Sequence, residues 1–124
     1  MRLPRFLDVV WCRFPLWEAP DVPGPKARPV LVLGDTENGM LVVAAYGTSQ
    51  AHAVPKEWEI HHEAQRGTLT TFDLLRMADI PATREYFPAG MPILRKFPAE
   101  RMPELLAANA AAQAELATRR RRKR

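Results

Sequence analysis

Two short segments carry side chains that suit the binding of a phosphate group. Arg28 opens the apolar run Pro29–Leu33, and Thr48 with Ser49 follows the apolar run Met40–Tyr46. A guanidinium can hold a phosphate through two parallel hydrogen bonds, and hydroxyl groups beside a glycine can bond its other oxygens. These residue types therefore indicate phosphate chemistry, provided that the chain brings the two segments together.

The two segments meet if their apolar runs form a β-hairpin. Both runs are rich in the β-branched residues that are typical of strands, and the Gly34–Gly39 segment between them ends in Asn-Gly, which suits a turn with positive φ. The turn lies at one end of the hairpin, so Arg28 and Thr48 lie at the other. A structural alternative stays open: Arg28 pairs with a loop acid, Glu18 or Asp21, and Thr48 caps a turn.

The rest of the sequence predicts a small, strongly bent barrel of short strands, followed by one helix. Further strands are predicted at residues 8–14, 58–62 and 67–80, the last with a possible bulge. Apolar periodicity alone also permits a helix over residues 67–80. Residues 15–27 form a loop because they contain four prolines and one glycine.

An alanine-rich helix is predicted from Pro103 to about Thr118. Proline suits the first helical position, and Glu104 in the first turn suits the helix dipole. A weak stripe runs along one face and is expected to dock on the barrel; it comprises Met102, Leu105, Leu106, Asn109, Gln113 and Leu116.

The charge of the chain is concentrated at its end. The net charge is +4, and the six residues 119–124 carry six of the 18 basic groups. Residues 1–118 therefore hold 12 basic and 14 acidic groups, so their net charge is near −2. We therefore predict a single domain over residues 1–118 and a basic, disordered tail over residues 119–124. The tail could attract phosphates or be an inert solvated end.

Other residue types exclude several classes of function. The single cysteine, Cys12, lies in an apolar run and is expected to be buried and inert. Adjacent strand residues point to opposite faces, so His61 and His62 cannot share a metal ion, and no metal-ligand spacing is present. Each histidine, including His52 after the Thr-Ser pair, is expected at the surface or against a partner. Without a secretory signal or a long apolar stretch, a cytoplasmic protein is expected.

Several motifs, in order and at similar spacing, resemble the toxins of the PemK/MazF family. The likeness spans roughly residues 8–106, and its motifs are Asp8–Trp11, Arg28–Leu33, Thr48-Ser49, Trp58–Ile60 and Phe72–Arg76. It implies a mainly β, SH3-like barrel with a C-terminal helix. It also implies a homodimer and an endoribonuclease toxin that cleaves single-stranded RNA without a metal or other cofactor and is neutralised by a cognate antitoxin.

The resemblance also implies a mechanism and roles for individual residues. The ribose 2′-hydroxyl attacks its own phosphate and leaves a 2′,3′-cyclic phosphate and a 5′-hydroxyl, which requires a base, a cation and an acid. Arg28 would stabilise the phosphorane charge, and Thr48 with Ser49 would bond the scissile phosphate. Asp73 matches the acid of some relatives, and Arg76 matches a basic residue three positions further on.

Two features remain outside the likeness. Some relatives carry a histidine and an acid in the loop before the Arg-Pro pair, whereas residues 18–24 contain no histidine, so Glu18 and Asp21 are unranked candidates for the base. Trp17, in the proline-rich loop, is a candidate for stacking on an RNA base.

Two rival hypotheses predict no cleavage. One is a barrel that poisons a protein target such as gyrase, although the helix lacks the C-terminal tryptophan of such relatives. The other is an RNA-binding module that has lost cleavage.

Overall fold

The computed structural model describes residues 4–35, 39–50, 54–88 and 93–123 and consists of five strands followed by one helix. The strands are β1 (Val9–Cys12), β2 (Arg28–Asp35), β3 (Leu41–Thr48), β4 (Glu59–Gln65) and β5 (Thr68–Pro81), and the helix α1 spans Met102–Arg122 after a 3₁₀ turn at Ala99–Arg101. The predicted β2–β3 hairpin is confirmed, with Gly39 at φ 68°. Residues 36–38 of its turn lie outside the described residues.

The strands form one antiparallel sheet in the order β1-β2-β3-β5-β4. The segment 94–97 spans the gap between the two edge strands. Leu94 N–H donates to the Val9 carbonyl on the β1 side (2.8 Å), and Arg95 N–H donates to the Ala64 carbonyl on the β4 side (3.1 Å). This irregular segment, which sequence patterns did not reveal, therefore curls the sheet into a small barrel-like form.

Each side of the sheet carries its own apolar core. The core on the helix side includes Leu31, Phe72, Leu74 and the buried helix residue Leu105. The core on the opposite side, called the loop side here, includes Val30, Val32 and Ile80 and is covered by Tyr86 and Phe87. Strand residues of both sides are therefore apolar, which is why the runs in β2 and β3 show no polar alternation.

The fifth strand contains a bulge that changes which side its residues face. Ala45 pairs with Met77, and the next residue, Tyr46, pairs with Asp73. Residues 74–76 of β5 are therefore extra and have no pairing partner in β3. Leu74 and Leu75, although consecutive, both pack into the helix-side core. The predicted strand with a bulge is confirmed, and the helical alternative for residues 67–80 is wrong.

Helix α1 extends further than predicted and docks through smaller residues. It continues through Arg122, so Arg119–Arg122 belong to the helix and the expected boundary of a disordered tail at residue 118 is not its end. Alanine and arginine both have high helix propensity, which favours this continuation. The buried positions are Leu105, Ala108 and Ala112, whereas Leu106 of the predicted stripe is 60% exposed. Within the described residues, no helix is long and apolar enough to cross a membrane.

Candidate functional site

Tyr46 brings two guanidinium groups together on the loop side of the sheet. The Cζ atom of Arg28 lies 5.5 Å from the centroid of the Tyr46 ring, and that of Arg76 lies 3.9 Å from it. The Phe14 ring packs edge-on against Tyr46, with centroids 5.3 Å apart, and lies 5.7 Å from the Arg76 Cζ atom. Two arginines that are 48 positions apart in sequence therefore share one aromatic platform.

The described residues hold neither guanidinium in a salt bridge. Of the residues the structure describes, Glu18 and Asp21 make no ion pair with Arg28, so this part of the structural alternative is wrong. A ring face attracts a cation but neutralises none of its charge. The two charges remain available to an anion, and a phosphate, like a carboxylate, has oxygens whose geometry matches a guanidinium fork.

The antiparallel register places Thr48 beside Arg28, as predicted. Val30 pairs with Tyr46, so two positions further along each strand Arg28 and Thr48 lie opposite each other. Gly47 makes this approach possible, because a Cβ atom there would lie only 2.3 Å from the Pro29 carbonyl oxygen and 2.8 Å from Phe72 Cε1.

Thr48 also closes a local turn, so the second part of the structural alternative is correct. The Gln50 N–H donates to Thr48 Oγ1 at 3.1 Å. A hydroxyl that accepts one hydrogen bond keeps its proton, so Thr48 can still donate to a phosphate oxygen. Ser49 is exposed one position beyond the end of β3.

Asp73 lies directly opposite Tyr46 and is therefore on the same side of the sheet. Burial raises the pKa of its carboxyl group, and the nearby charge of Glu59 adds to the rise; the Leu75 N–H, which donates to Asp73 Oδ1 at 2.9 Å, and Arg76 act in the opposite direction. A carboxylic acid that keeps its proton to a higher pH suits a proton donor.

The bulge in β5 places Asp73 and Arg76 on the same side of the sheet. Residues three apart in a regular strand point to opposite sides of the sheet. Because Leu74 and Leu75 both turn towards the helix-side core, Arg76 returns to the loop side and reaches the ring of Tyr46.

Trp17 is 84% exposed and borders a cavity that joins it to this cluster. The cavity has a volume of about 370 Å³ and is lined by Phe14, Trp17 and Arg76, among others. The structure therefore brings together Arg28, Thr48, Asp73 and Arg76, and places Trp17 across a shallow depression from them.

The remaining candidates have structural roles or lie outside the site. His62 is buried, contacts Phe97 and donates from Nε2 to the Arg95 carbonyl (2.9 Å), so the expectation of a surface position is wrong for it. Cys12 is fully buried, and burial raises the pKa of its thiol to about 12, which confirms an inert thiol. His52 lies outside the described residues, and the described part of the chain contains no cluster of three possible metal ligands.

Sequence patterns did not single out Tyr46 or Phe14. A signal was present, because Tyr46 lies two positions before Thr48 in a strand and must therefore face the same side. Phe14 could be found only from the structure, since it follows β1 and its contact with Tyr46 crosses two strand pairings.

Comparison with solved structures assigns the fold. A chain of the MazE–MazF complex (form II) from Deinococcus radiodurans shares 19% identity, with 90% of this chain and 95% of that chain covered and a TM-score of 0.62. The toxin MazF-mt6 of Mycobacterium tuberculosis shares 18% identity over 86% of this chain and 96% of that chain, with a TM-score of 0.61. The chain has the fold of the MazF toxins.

A third structure with the MazF fold is an endoribonuclease from a mycobacterial species in complex with its cognate antitoxin. It shares 16% identity over 90% of this chain and 95% of that chain, with a TM-score of 0.62. No family model and no curated protein matches the sequence. The predicted mainly β barrel with a C-terminal helix is thus confirmed, and the catalytic roles of its residues remain predictions.

Proposed function

We propose that the chain is an endoribonuclease toxin of the PemK/MazF type that cleaves single-stranded RNA without a metal. The observation that carries the proposal is the arrangement of Arg28 and Arg76 around Tyr46, with Thr48 alongside. Two cations that form no salt bridge within the described residues, together with a hydroxyl donor, fit a phosphodiester that gains negative charge as it reacts. The MazF fold supports the choice of RNA, because solved structures with that fold are named as endoribonucleases.

The proposed reaction transfers the phosphate within the RNA strand. The ribose 2′-oxygen forms a bond to phosphorus as its proton passes to a base, and the bond from phosphorus to the 5′-oxygen breaks as that oxygen takes up a proton. The products are a 2′,3′-cyclic phosphate and a 5′-hydroxyl. Only the RNA 2′-hydroxyl supplies this nucleophile.

Each residue of the site has a proposed part in this step. Arg28 stabilises the charge of the phosphorane, and Thr48 with Ser49 bonds the non-bridging oxygens. Asp73, with its raised carboxyl pKa, gives its proton to the departing 5′-oxygen. Arg76, which lies against the same Tyr46 ring, gives the phosphate a second cationic contact.

The base is not assigned by these contacts. Glu18 occupies a turn beside Trp17, and the Asp21 carbonyl accepts a hydrogen bond from the Tyr86 hydroxyl at 3.4 Å. Both acids belong to the loop that borders the site, and single Glu18→Gln and Asp21→Asn variants would rank them by their loss of cleavage.

The partners follow from the same proposal. A second copy of the chain completes an RNA groove, and a cognate antitoxin occupies that groove in the neutralised complex. The structures of MazE–MazF and of the mycobacterial endoribonuclease with its antitoxin support such a partner. The proposal also includes a cytoplasmic location, because the substrate would be cellular RNA.

Cleavage of a defined single-stranded RNA by the purified protein in EDTA tests the proposal. We expect Arg28→Ala to reduce the cleavage rate by at least about 10²-fold, the scale for losing one preorganised donor, and to leave RNA binding less affected. Arg84→Ala, which removes an exposed cation elsewhere, is the matched control. Wild-type rates for folded Arg28→Ala would reject the site, and binding without any cleavage would favour the RNA-binding module.

A further inference from the structure

Trp17 is fixed in an outward position by the turn that carries it. The Ala19 N–H donates to the Leu16 carbonyl at 3.1 Å, and the two residues form a short bridge, so Trp17 and Glu18 occupy the corners of a tight turn. An indole that is 84% exposed buries little apolar surface within the chain. Its rigid presentation to solvent suits contact with a ligand.

The loop around Trp17 is anchored at its base. The Arg13 Nε atom donates to the Gly24 carbonyl at 2.8 Å, and the Gly24 N–H donates to the Arg13 carbonyl at 3.0 Å. Gly24 lies so close to the residues that follow β1 that a Cβ atom there would be 2.1 Å from the Phe14 carbonyl oxygen. The prolines of the loop add further restraint, so the indole has a defined place beside the sheet.

The end of helix α1 lies next to this indole. Trp17 and Leu116 line a depression of about 460 Å³ together with four basic residues at the end of the helix; these are Arg119, Arg120, Arg122 and the C-cap residue Lys123. Arg119 is paired with Glu115, with Nε 3.1 Å from the carboxylate. No such pair involves the other three cations within the described residues.

Like charges at three- and four-residue spacing repel one another, so these cations favour an anionic ligand. Their positions in the last turn and C-cap of the helix hold them as a group, whereas a disordered tail would spread them. An aromatic face beside grouped cations is the combination that single-stranded nucleic acids use, with bases on the ring and phosphates on the charges.

Trp17 lies between this depression and the candidate cleavage site, because it also borders the cavity that contains Arg76 and Phe14. We propose that single-stranded RNA continues from the cleavage site across Trp17, where one base stacks, to a phosphate-binding surface formed by Arg120, Arg122 and Lys123. The direction of this path rests on the proposed function. The inference of the binding surface itself rests only on the contacts of Trp17 and of the helix end, and not on the proposed cleavage.

Fluorescence anisotropy with a 2′-O-methyl RNA oligonucleotide tests the surface apart from cleavage, since this RNA lacks the attacking hydroxyl. A triple variant, R120Q/R122Q/K123Q, removes three charges and keeps good helix formers. Each phosphate contact with a single strand contributes about 0.7 to the slope of log K against log salt, so we expect the slope to fall by about 2. The matched control, R5Q/R66Q/R84Q, removes three other exposed cations and should retain the wild-type slope.

The stacking contact is tested with two ligands. Trp17→Ala should weaken RNA binding by about fivefold to 100-fold, the range for one stacking aromatic, and Trp17→Phe should recover part of it. Binding of inorganic polyphosphate, which has no bases, should be unchanged by Trp17→Ala and weakened by the triple variant.

Each outcome bears on the surface separately from cleavage. An unchanged salt slope in the triple variant, an equal loss in its matched control, or equal effects of Trp17→Ala on RNA and polyphosphate would overturn the inference, even if the protein cleaves RNA. Weakened binding in the predicted variants of a protein that cleaves nothing would support the surface and reject the proposed function.

Discussion

Tyr46 is the residue on which the candidate site depends, because its ring contacts both guanidiniums. A cation above an aromatic ring is attracted by the electrons of the ring face, and phenylalanine retains that face while leucine does not. We expect Tyr46→Phe to cleave RNA close to the wild-type rate. We expect Tyr46→Leu to lose about tenfold or more in kcat with a smaller change in KM. Hydrogen-bond donors that are out of place lose more of their stabilisation of the transition state than of their binding to the ground state. Equal rates for the two variants would show that the ring does not position the arginines.

Asp73 makes a prediction about stability that is independent of cleavage. Burial raises the pKa of its carboxyl group in the folded state, so the folded protein holds this proton more tightly than the unfolded chain. The free energy of unfolding therefore falls as pH rises from the ordinary carboxyl pKa of about 4 through the raised value. Asparagine does not titrate and keeps an oxygen for the Leu75 N–H.

We expect Asp73→Asn to be at least as stable as the wild type at neutral pH, with any advantage shrinking below the ordinary carboxyl pKa. Urea unfolding at both pH values measures the difference. We also expect the variant to cleave RNA more slowly, because it has lost the proposed proton donor. A variant that is less stable at neutral pH than in acid, relative to the wild type, would show that the raised pKa is wrongly assigned.

Among the elements, the contact between β2 and β3 is set by a glycine. A Cβ atom at Gly47 would collide with the Pro29 carbonyl and the Phe72 ring, whereas one at Gly34 would meet nothing within 4 Å. We expect Gly47→Ala to lower the free energy of unfolding by about 1–3 kcal/mol, the cost of overpacking, and to reduce cleavage. Gly34→Ala is the matched control and should be neutral or slightly stabilising. Comparable stability of the two variants in urea would contradict this packing.

The elements also show what the sequence can and cannot predict. The hairpin that joins Arg28 to Thr48 was predictable, because two β-branched runs flank an Asn-Gly turn signal. The start of α1 was predictable from Pro103 and Glu104. The place of the bulge was not, since Leu74 and Leu75 are equally apolar on either side of the sheet and only the core shows that both face the helix.

The same reason explains why the shared side of Asp73 and Arg76 and the docking face of α1 could not be derived from the sequence. In a regular strand Asp73 and Arg76 would point to opposite sides of the sheet, and the bulge places both on the same side. The helix face was misjudged because apolar size favoured Leu106 over Ala108 and Ala112, whereas close packing on the sheet requires the small residues. Long-range contacts, rather than local patterns, decide these positions.

The RNA groove of the proposed toxin requires two chains. One small barrel offers a shallow surface, with the cluster around Tyr46 open at its edge, and a two-fold pairing would place two such surfaces along one groove. We expect a homodimer by light scattering at tens of micromolar protein. A monomer under these conditions would remove the groove and the antitoxin arrangement that depends on it, while leaving the fold unaffected.

In the proposed reaction the RNA supplies its own nucleophile. The most direct measurement is end-group analysis of the products that the purified protein forms from a defined RNA in EDTA, beside the same RNA with a 2′-deoxyribose at the cleaved position. We expect a 2′,3′-cyclic phosphate and a 5′-hydroxyl from the first RNA and no cleavage at that position in the second. Products with a 5′-phosphate, cleavage of the 2′-deoxy substrate, or loss of all cleavage in EDTA would contradict the proposed reaction.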